Sequence, residues 1–184
     1  MNIAKLILVL LAFCNFEPAI AADNDLYKIK QGDTVFISVY GEETLQKELR
    51  VLPDGSVTFP LAGRVDVLNS TTAEVENKIT TKLKEFLPEP QVTVVVTNSE
   101  GNKIYLVGKV LKPGPILLSG PTNALQALSY AGGFDKFAEL NKIKVIRTVE
   151  GITTILLVNY EALTKGKDLN TNVRLQAGDV IVIP

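Results

Sequence analysis

The chain has 184 residues, 46% apolar and 21% charged, with 19 Lys and Arg against 20 Asp and Glu for a net charge of −1. That balance is globular rather than disordered, and it lacks the basic excess of a nucleic-acid module, so no nucleic-acid partner is expected. Histidine is absent and Cys14 is the one cysteine. This excludes His-based triads and His-ligated metals and, if Cys14 leaves with a leader, thiol nucleophiles, disulfides and thiolate metal sites as well.

Residues 1–21 read as a secretory signal peptide. Lys5 and the amino terminus supply positive charge, Leu6 to Cys14 is an apolar run of nine residues, and Ala19-Ile20-Ala21-Ala22 has the small-x-small form of a cleavage site. Nine residues are too few to cross a bilayer as a helix, which needs about 20. Cleavage after Ala21 leaves 163 residues. Phe13 stands just before Cys14, where a lipoprotein signal wants a small residue, so cleavage is expected and lipidation of Cys14 is not.

The first half then reads as strands around one helix. Val35, Ile37 and Val39 alternate with Phe36, Ser38 and Tyr40 at strand period. Glu42-Glu43 reads as a solvated loop behind that strand. Pro53-Asp54-Gly55 is a turn, because proline presets φ, aspartate bonds the local backbone and glycine accepts positive φ. With Leu49–Leu52 before it and Ser56–Pro60 after it, the segment predicts a hairpin. Thr71-Thr72-Ala73-Glu74 has the form of a capping box, and Val75, Ile79, Leu83 and Phe86/Leu87 follow on one helical face. Pro88 and Pro90 stop that helix, and Val92–Thr97 is a β-branched strand.

The polar break Asn98–Asn102 marks the expected boundary between domains at 22–98 and 99–184. Beyond it, Ile104–Val110 and Ile116–Leu118 flank Lys112-Pro113-Gly114-Pro115 as strand, turn and strand. Thr122 or Asn123 caps a helix carrying Leu125 and Leu128, and Gly132-Gly133 ends it. Lys144–Val149 and Ile152–Val158 form a hairpin about Glu150-Gly151, and Val180–Ile183 is a final strand. The fold class expected is α+β, as two small sheet-plus-helix domains, the second a β-grasp in which one helix covers one face of a mixed sheet. One internal echo stands out: Gln31-Gly32-Asp33-Thr34-Val35-Phe36-Ile37 resembles Ala177-Gly178-Asp179-Val180-Ile181-Val182-Ile183. Each is a Gly-Asp turn opening an apolar strand, which is common turn chemistry.

No catalytic constellation emerges, and the chain is read as not an enzyme. Asp33 with Glu42-Glu43 has no metal-ligand partner at suitable spacing. Ser119-Gly120 and Ser129 lack nucleophile contexts, and no phosphate-binding glycine loop is present. No cofactor is expected. Tyr40 and Tyr105, in or beside predicted strands, read as half-buried packing residues rather than sugar platforms.

Taken in order, these motifs resemble the bacterial polysaccharide biosynthesis/export family. The first half is similar to its export domain through Tyr27-x-Ile29-x-x-Gly32-Asp33, Val35-x-Ile37-x-Val39-Tyr40-Gly41-Glu42, Val51-x-Pro53-Asp54-Gly55-x-Val57-x-x-Pro60-x-x-Gly63 and Pro90-Gln91-Val92-Thr93-Val94. The second is similar to its SLBB domain, a soluble ligand-binding β-grasp. The matching residues there are Tyr105–Val110, Pro113-Gly114, Ala127 to Ala131-Gly132-Gly133, Val145-x-Arg147 and Leu175-Gln176-x-Gly178-Asp179-Val180-Ile181.

The resemblance implies a non-enzymatic component of capsule or exopolysaccharide export. It would act in the periplasm at the outer membrane, as a homo-oligomeric ring coupled to an inner-membrane chain-length (co-polymerase) partner. It also implies that Gly32, Asp33, Pro53, Asp54, Gly55, Gly63, Pro113, Gly114, Gly132, Gly133, Gly178 and Asp179 hold turns and caps rather than touch sugar. Larger members carry more SLBB copies and a membrane-crossing C-terminal helix. The expectation for a chain ending at Pro184 is one SLBB domain and a periplasmic ring that docks onto a separate outer-membrane channel. Two other readings compete. Tyr27-x-Ile29-x-x-Gly32-Asp33-Thr34-Val35 also resembles the opening of a LysM glycan-binding module, which would turn into a helix soon after. A glycan-acting enzyme would need carboxylates brought together from distant segments.

Overall fold

A computed structural model describes residues 26–184. The predicted leader over residues 1–21, with its cleavage site and Cys14, lies outside the described residues. Among the described residues no helix is long and apolar enough to cross a membrane.

The alternation read from Val35 to Val39 makes β1 (Thr34–Val39), whose odd residues are buried. It is the centre of a three-stranded antiparallel sheet between β2 (Glu42–Arg50) and β5 (Val92–Asn98). Helix α1 (Thr72–Leu83) packs on one face and buries Val75, Ile79 and Leu83. Its start is a reciprocal cap: the Thr71 amide donates to Glu74 Oε2 at 2.8 Å and the Glu74 amide donates to Thr71 Oγ1 at 3.2 Å. Between β2 and α1, β3 (Ser56–Phe59) and β4 (Gly63–Asp66) form a small hairpin that adds Val57, Phe59 and Val65 to the same core. Truncating Ile79 to alanine here would cost ~2–5 kcal/mol.

Two expectations for this half fail. Glu42 and Glu43 are not a loop; they begin β2, which pairs with β1 from Val39↔Glu42 to Thr34↔Arg50. The charges hid the strand, yet charge is what an edge strand carries to discourage further pairing. Pro53-Asp54-Gly55 does turn the chain, with Gly55 at φ +79° and Leu52 and Ser56 joined by a 2.9 Å backbone bond. No hairpin surrounds it, because β2 is already paired to β1 and β3 pairs with β4. A Cβ at Gly55 would also fall 2.6 Å from the Leu68 Cβ, so the position excludes larger residues.

The second half is a five-stranded sheet in the order β7-β6-β10-β8-β9. The strands are β6 (Lys103–Gly108), β7 (Gly114–Leu117), β8 (Ile143–Val149), β9 (Ile152–Val158) and β10 (Val180–Ile183). β10 runs parallel to β6 and every other pair is antiparallel. Helix α2 (Ala124–Ser129) is capped by Asn123 and packs Ala124, Ala127 and Leu128 on one face of the sheet. This is the expected β-grasp. Both residues of the Glu150-Gly151 turn have positive φ, as a two-residue hairpin requires. A five-residue helix α3 (Tyr160–Thr164) and a 3₁₀ turn at Leu169–Thr171 follow β9; both are too short to leave a periodic signal.

The buried apolar residues fall into two clusters, one from Ile29 to Val94 and one from Ile104 to Ile183. Each half thus has its own core, and the fold is α+β in two small domains.

Candidate functional site

The Gly-Asp echo has the same local geometry at both positions. Gly32 and Gly178 lie at φ +85° and +89°. In each turn the amide three residues before the aspartate donates to its carboxylate: Lys30 to Asp33 Oδ2 at 2.7 Å and Gln176 to Asp179 Oδ2 at 2.8 Å. Each aspartate amide donates back to that residue's carbonyl, at 3.2 and 3.1 Å. Both side chains are buried, and both turns launch the central strand of a sheet, β1 and β10. A buried carboxylate needs partners for its remaining lone pairs, and here the turns diverge.

Asp33 is satisfied by neutral donors. The Tyr27 hydroxyl donates to Oδ2, and the Gly101 amide, from within the polar break, donates to Oδ1 at 2.8 Å. Burial, then the hydrogen bond to Asp33 and its charge, push the Tyr27 phenol well above its ordinary value. Gly101 is needed for space: a Cβ there would fall 2.4 Å from the Gln31 carbonyl oxygen. Asp179 is held by a cation. Arg147 donates from Nε to Oδ1 at 2.9 Å and from Nη2 to Oδ2 at 2.7 Å, and Nη2 also reaches the Arg174 carbonyl at 2.7 Å. That hydrogen bonding raises the Arg147 pKa, against a smaller opposing effect of desolvation.

The two turns face each other across a cleft of about 560 Å³ that both domains line. Gln31, Gly32, Arg50 and Pro53 come from one side, and Gly101, Lys103, Tyr105 and Gly178 from the other. An ion pair between Arg50 Nη2 and Glu100 Oε2 at 3.4 Å sits at its mouth, with both side chains mostly exposed. Exposed pairs of this kind contribute under about 1 kcal/mol. Gln31 Nε2 donates to the Pro53 carbonyl at 2.7 Å. The cleft offers one aromatic ring, both signs of charge and glycine backbone open to close approach. It can hold a hydroxylated ligand by hydrogen bonds, but it does not pair a nucleophile with a base. Among the described residues no cluster of three or more His, Cys, Asp or Glu could hold a metal ion.

The twelve residues singled out from sequence are therefore divided. Gly32, Pro53 and Gly178 line the cleft, and Asp33 and Asp179 lie buried behind it. Asp54 accepts from the Ser56 amide and hydroxyl beside Gly55; these bonds and the Arg64 charge hold its carboxyl below the usual range. Gly63 opens β4 and Pro113-Gly114 opens β7. Gly132-Gly133 is not the cap expected for α2, which ends at Ser129 with Tyr130 as a right-handed C-cap. The two glycines lie beyond it at positive φ, where the Ala131 and Gly133 carbonyls accept from the Lys112 and Leu111 amides. Tyr105 opens on the cleft. Tyr40, read as half-buried, is exposed because it sits in the turn between β1 and β2 rather than in the sheet. The sequence reading missed the roles of Tyr27, Gly101 and Arg147. The echo itself was the available signal, since a repeated Gly-Asp before two apolar strands marks two carboxylates that need partners.

Residues 21–97 match the family model described as polysaccharide biosynthesis/export protein, and residues 102–183 match the SLBB domain. The chain is 27% identical over 166 residues to the EPS I polysaccharide export outer membrane protein EpsA of Ralstonia nicotianae, covering 90% of this chain and 42% of that protein. It is 31% identical over 128 residues to the EpsA of Ralstonia solanacearum, covering 69% and 33%. It is 30% identical over 115 residues to the polysialic acid transport protein KpsD of Escherichia coli, covering 61% and 20%. The chain thus spans less than half the length of each of these relatives.

Proposed function

This chain belongs to the polysaccharide biosynthesis/export family, and from that premise we propose that it is a non-enzymatic component of capsule or exopolysaccharide export across the periplasm and outer membrane. The observation that carries the reading is the order of two modules, an export domain followed by one SLBB β-grasp, in a chain related to proteins named for polysaccharide export and polysialic acid transport. In this reading the protein is delivered by a cleaved leader and is not lipidated at Cys14. It works as a homo-oligomeric ring around the polymer, meeting an inner-membrane chain-length protein on one side and a separate outer-membrane channel on the other. The mechanism is geometric: a rigid lumen excludes alternative paths and makes no bond. The twelve residues hold turns, and the polymer is met by surfaces outside them except at the cleft, where Gly32, Pro53 and Gly178 form part of the wall.

The test is an in-frame deletion in the native host, with high-molecular-mass polysaccharide measured at the surface and in the periplasm. Loss from the surface with periplasmic retention, restored by a plasmid copy, is the expected outcome. Surface polymer at the parental level overturns the export role. Purified protein incubated with the polymer is expected to leave its chain length unchanged, and measurable shortening overturns the non-enzymatic reading.

A further inference from the structure

Among the described residues, the β-grasp sheet is covered on one face only. Its inner face, with Ile104, Leu106, Val145, Ile181 and Ile183, is buried with α2. The strand register dictates what stands on the other face. Val180 lies between Tyr105 and Ile146, and Val182 lies between Val107 and Lys144. Ile155 and Leu157 continue the row on β9 opposite Ile146 and Lys144. Tyr105, Val107, Ile155 and Leu157 are 39, 48, 57 and 63% exposed. A contiguous apolar row of this kind marks an interaction surface. The edge strand that ends it, Ile-Thr-Thr-Ile-Leu-Leu-Val, has no charge and no proline to guard it.

Among the described residues, the three-stranded sheet of the first domain also has an uncovered face, of a different character. Phe36 pairs with Val95, which is 49% exposed, and Glu48 stands opposite Phe36 on β2. This is a small apolar centre beside Glu48, which accepts from the Thr97 hydroxyl at 2.9 Å, and beside Arg50, whose charge is paired with Glu100, whereas Lys144 is the charge within the β-grasp row. The domains repeat that contrast. Residues 26–98 hold 8 Lys and Arg against 10 Asp and Glu, and residues 99–184 hold 10 against 7.

We propose that the uncovered β-grasp face of one copy receives the Phe36–Val95 face of a second copy, head to tail, with Glu48 meeting Lys144. This rests on the oligomeric reading above and supplies its contact surface. Because the two faces differ, the contact is heterologous: each copy keeps one free face of each kind, and the association repeats until it closes. Pairing two β-grasp faces would instead bring two basic domains together.

Sedimentation velocity of the mature chain tests this with Ile155→Glu and Val95→Glu, both at exposed positions and each checked for an unchanged melting temperature. The wild type is expected to associate, and each variant alone to associate about 30-fold or more weakly, as for loss of an interface hot spot. An equimolar mixture of the two is expected to recover a dimer and nothing larger, since each variant retains the face the other lacks. A monomeric wild type, a Val95→Glu protein that associates as the wild type does, or a mixture that stays monomeric overturns the contact. The deletion phenotype is independent of this result: surface polymer in the deletion strain sinks the export role without touching association, and a monomeric wild type sinks the contact without touching the phenotype.

Discussion

The two Gly-Asp turns begin from the same four-residue geometry and end in different chemistry. At Asp179 the partner is a guanidinium that approaches side-on and makes two parallel bonds. At Asp33 the partners are a phenol and the amide of a glycine on the far side of the cleft. The first arrangement ties β10 to β8 inside one sheet. The second ties the first domain to the segment that leads into the next. A repeated turn can thus close a core in one place and join two cores in another, and the difference lies in the third partner, far away in sequence.

The largest expected effect is at the ionic turn. Arg147→Ala leaves Asp179 buried and without its cation, and removing one partner of a buried pair costs ~3–5 kcal/mol. Urea unfolding should show that loss, confined to the β-grasp core. Replacing both partners with apolar residues, as Arg147→Met with Asp179→Leu, should recover much of it, because the penalty comes from the orphaned charge. If the single variant unfolds as the wild type does, the ion pair is not what sets this turn apart.

The next effect is at the seam. In Asp33→Asn one carboxylate oxygen becomes an amide donor, which must face either the Gly101 amide or the Tyr27 and Lys30 donors. A buried donor left without an acceptor costs ~1–3 kcal/mol. Gly101→Ala attacks the same contact sterically and is expected to cost ~1–3 kcal/mol, as overpacking does. Both should separate the melting of the two domains, so that calorimetry resolves two transitions where the wild type gives more overlap. Arg147→Ala should instead lower the β-grasp transition. Identical melting profiles for Gly101→Ala and the wild type would mean that Asp33 serves only its own turn.

What the sequence made legible was local. The Thr71 capping box, the glycine turns at Gly55 and Gly151, the α1 stripe from Val75 to Leu83 and the strand at Val35–Val39 are each written within a few residues and were readable. The end of α1 was not: it stops at Leu83, short of Pro88, and leaves Phe86 exposed. The failures came where a strand's identity depends on its partner. β2 has only Leu45 buried, so no alternation announces it, and its pairing with β1 is what removes the expected hairpin at Pro53-Asp54-Gly55. The candidate cleft was illegible for the same reason. Its walls are joined by residues 68 positions apart, Asp33 and Gly101, and no spacing rule connects a carboxylate to a distant backbone amide. The β-grasp was readable because its helix and hairpins are sequential, even though its central strand comes last in the chain.

The smallest expected effect separates the two turns by pH. Tyr27→Phe removes one hydrogen bond to Asp33 and should cost ~1 kcal/mol at neutral pH. The Tyr27 phenol has a folded-state pKa above its unfolded value of about 10. Its contribution is therefore complete below pH 10 and is lost as pH rises toward the folded value, because the unfolded chain gives up that proton first. The stability gap between wild type and Tyr27→Phe should stay constant from pH 7 to 9 and then narrow. The Arg147 guanidinium does not titrate in that range, so the gap between wild type and Arg147→Ala should hold steady over the same interval. Denaturant titrations of the three proteins at pH 8 and pH 11 suffice. A Tyr27 gap unchanged at pH 11 would mean that the phenol is not bound to a buried carboxylate, and the contrast between the turns would fail at its neutral end.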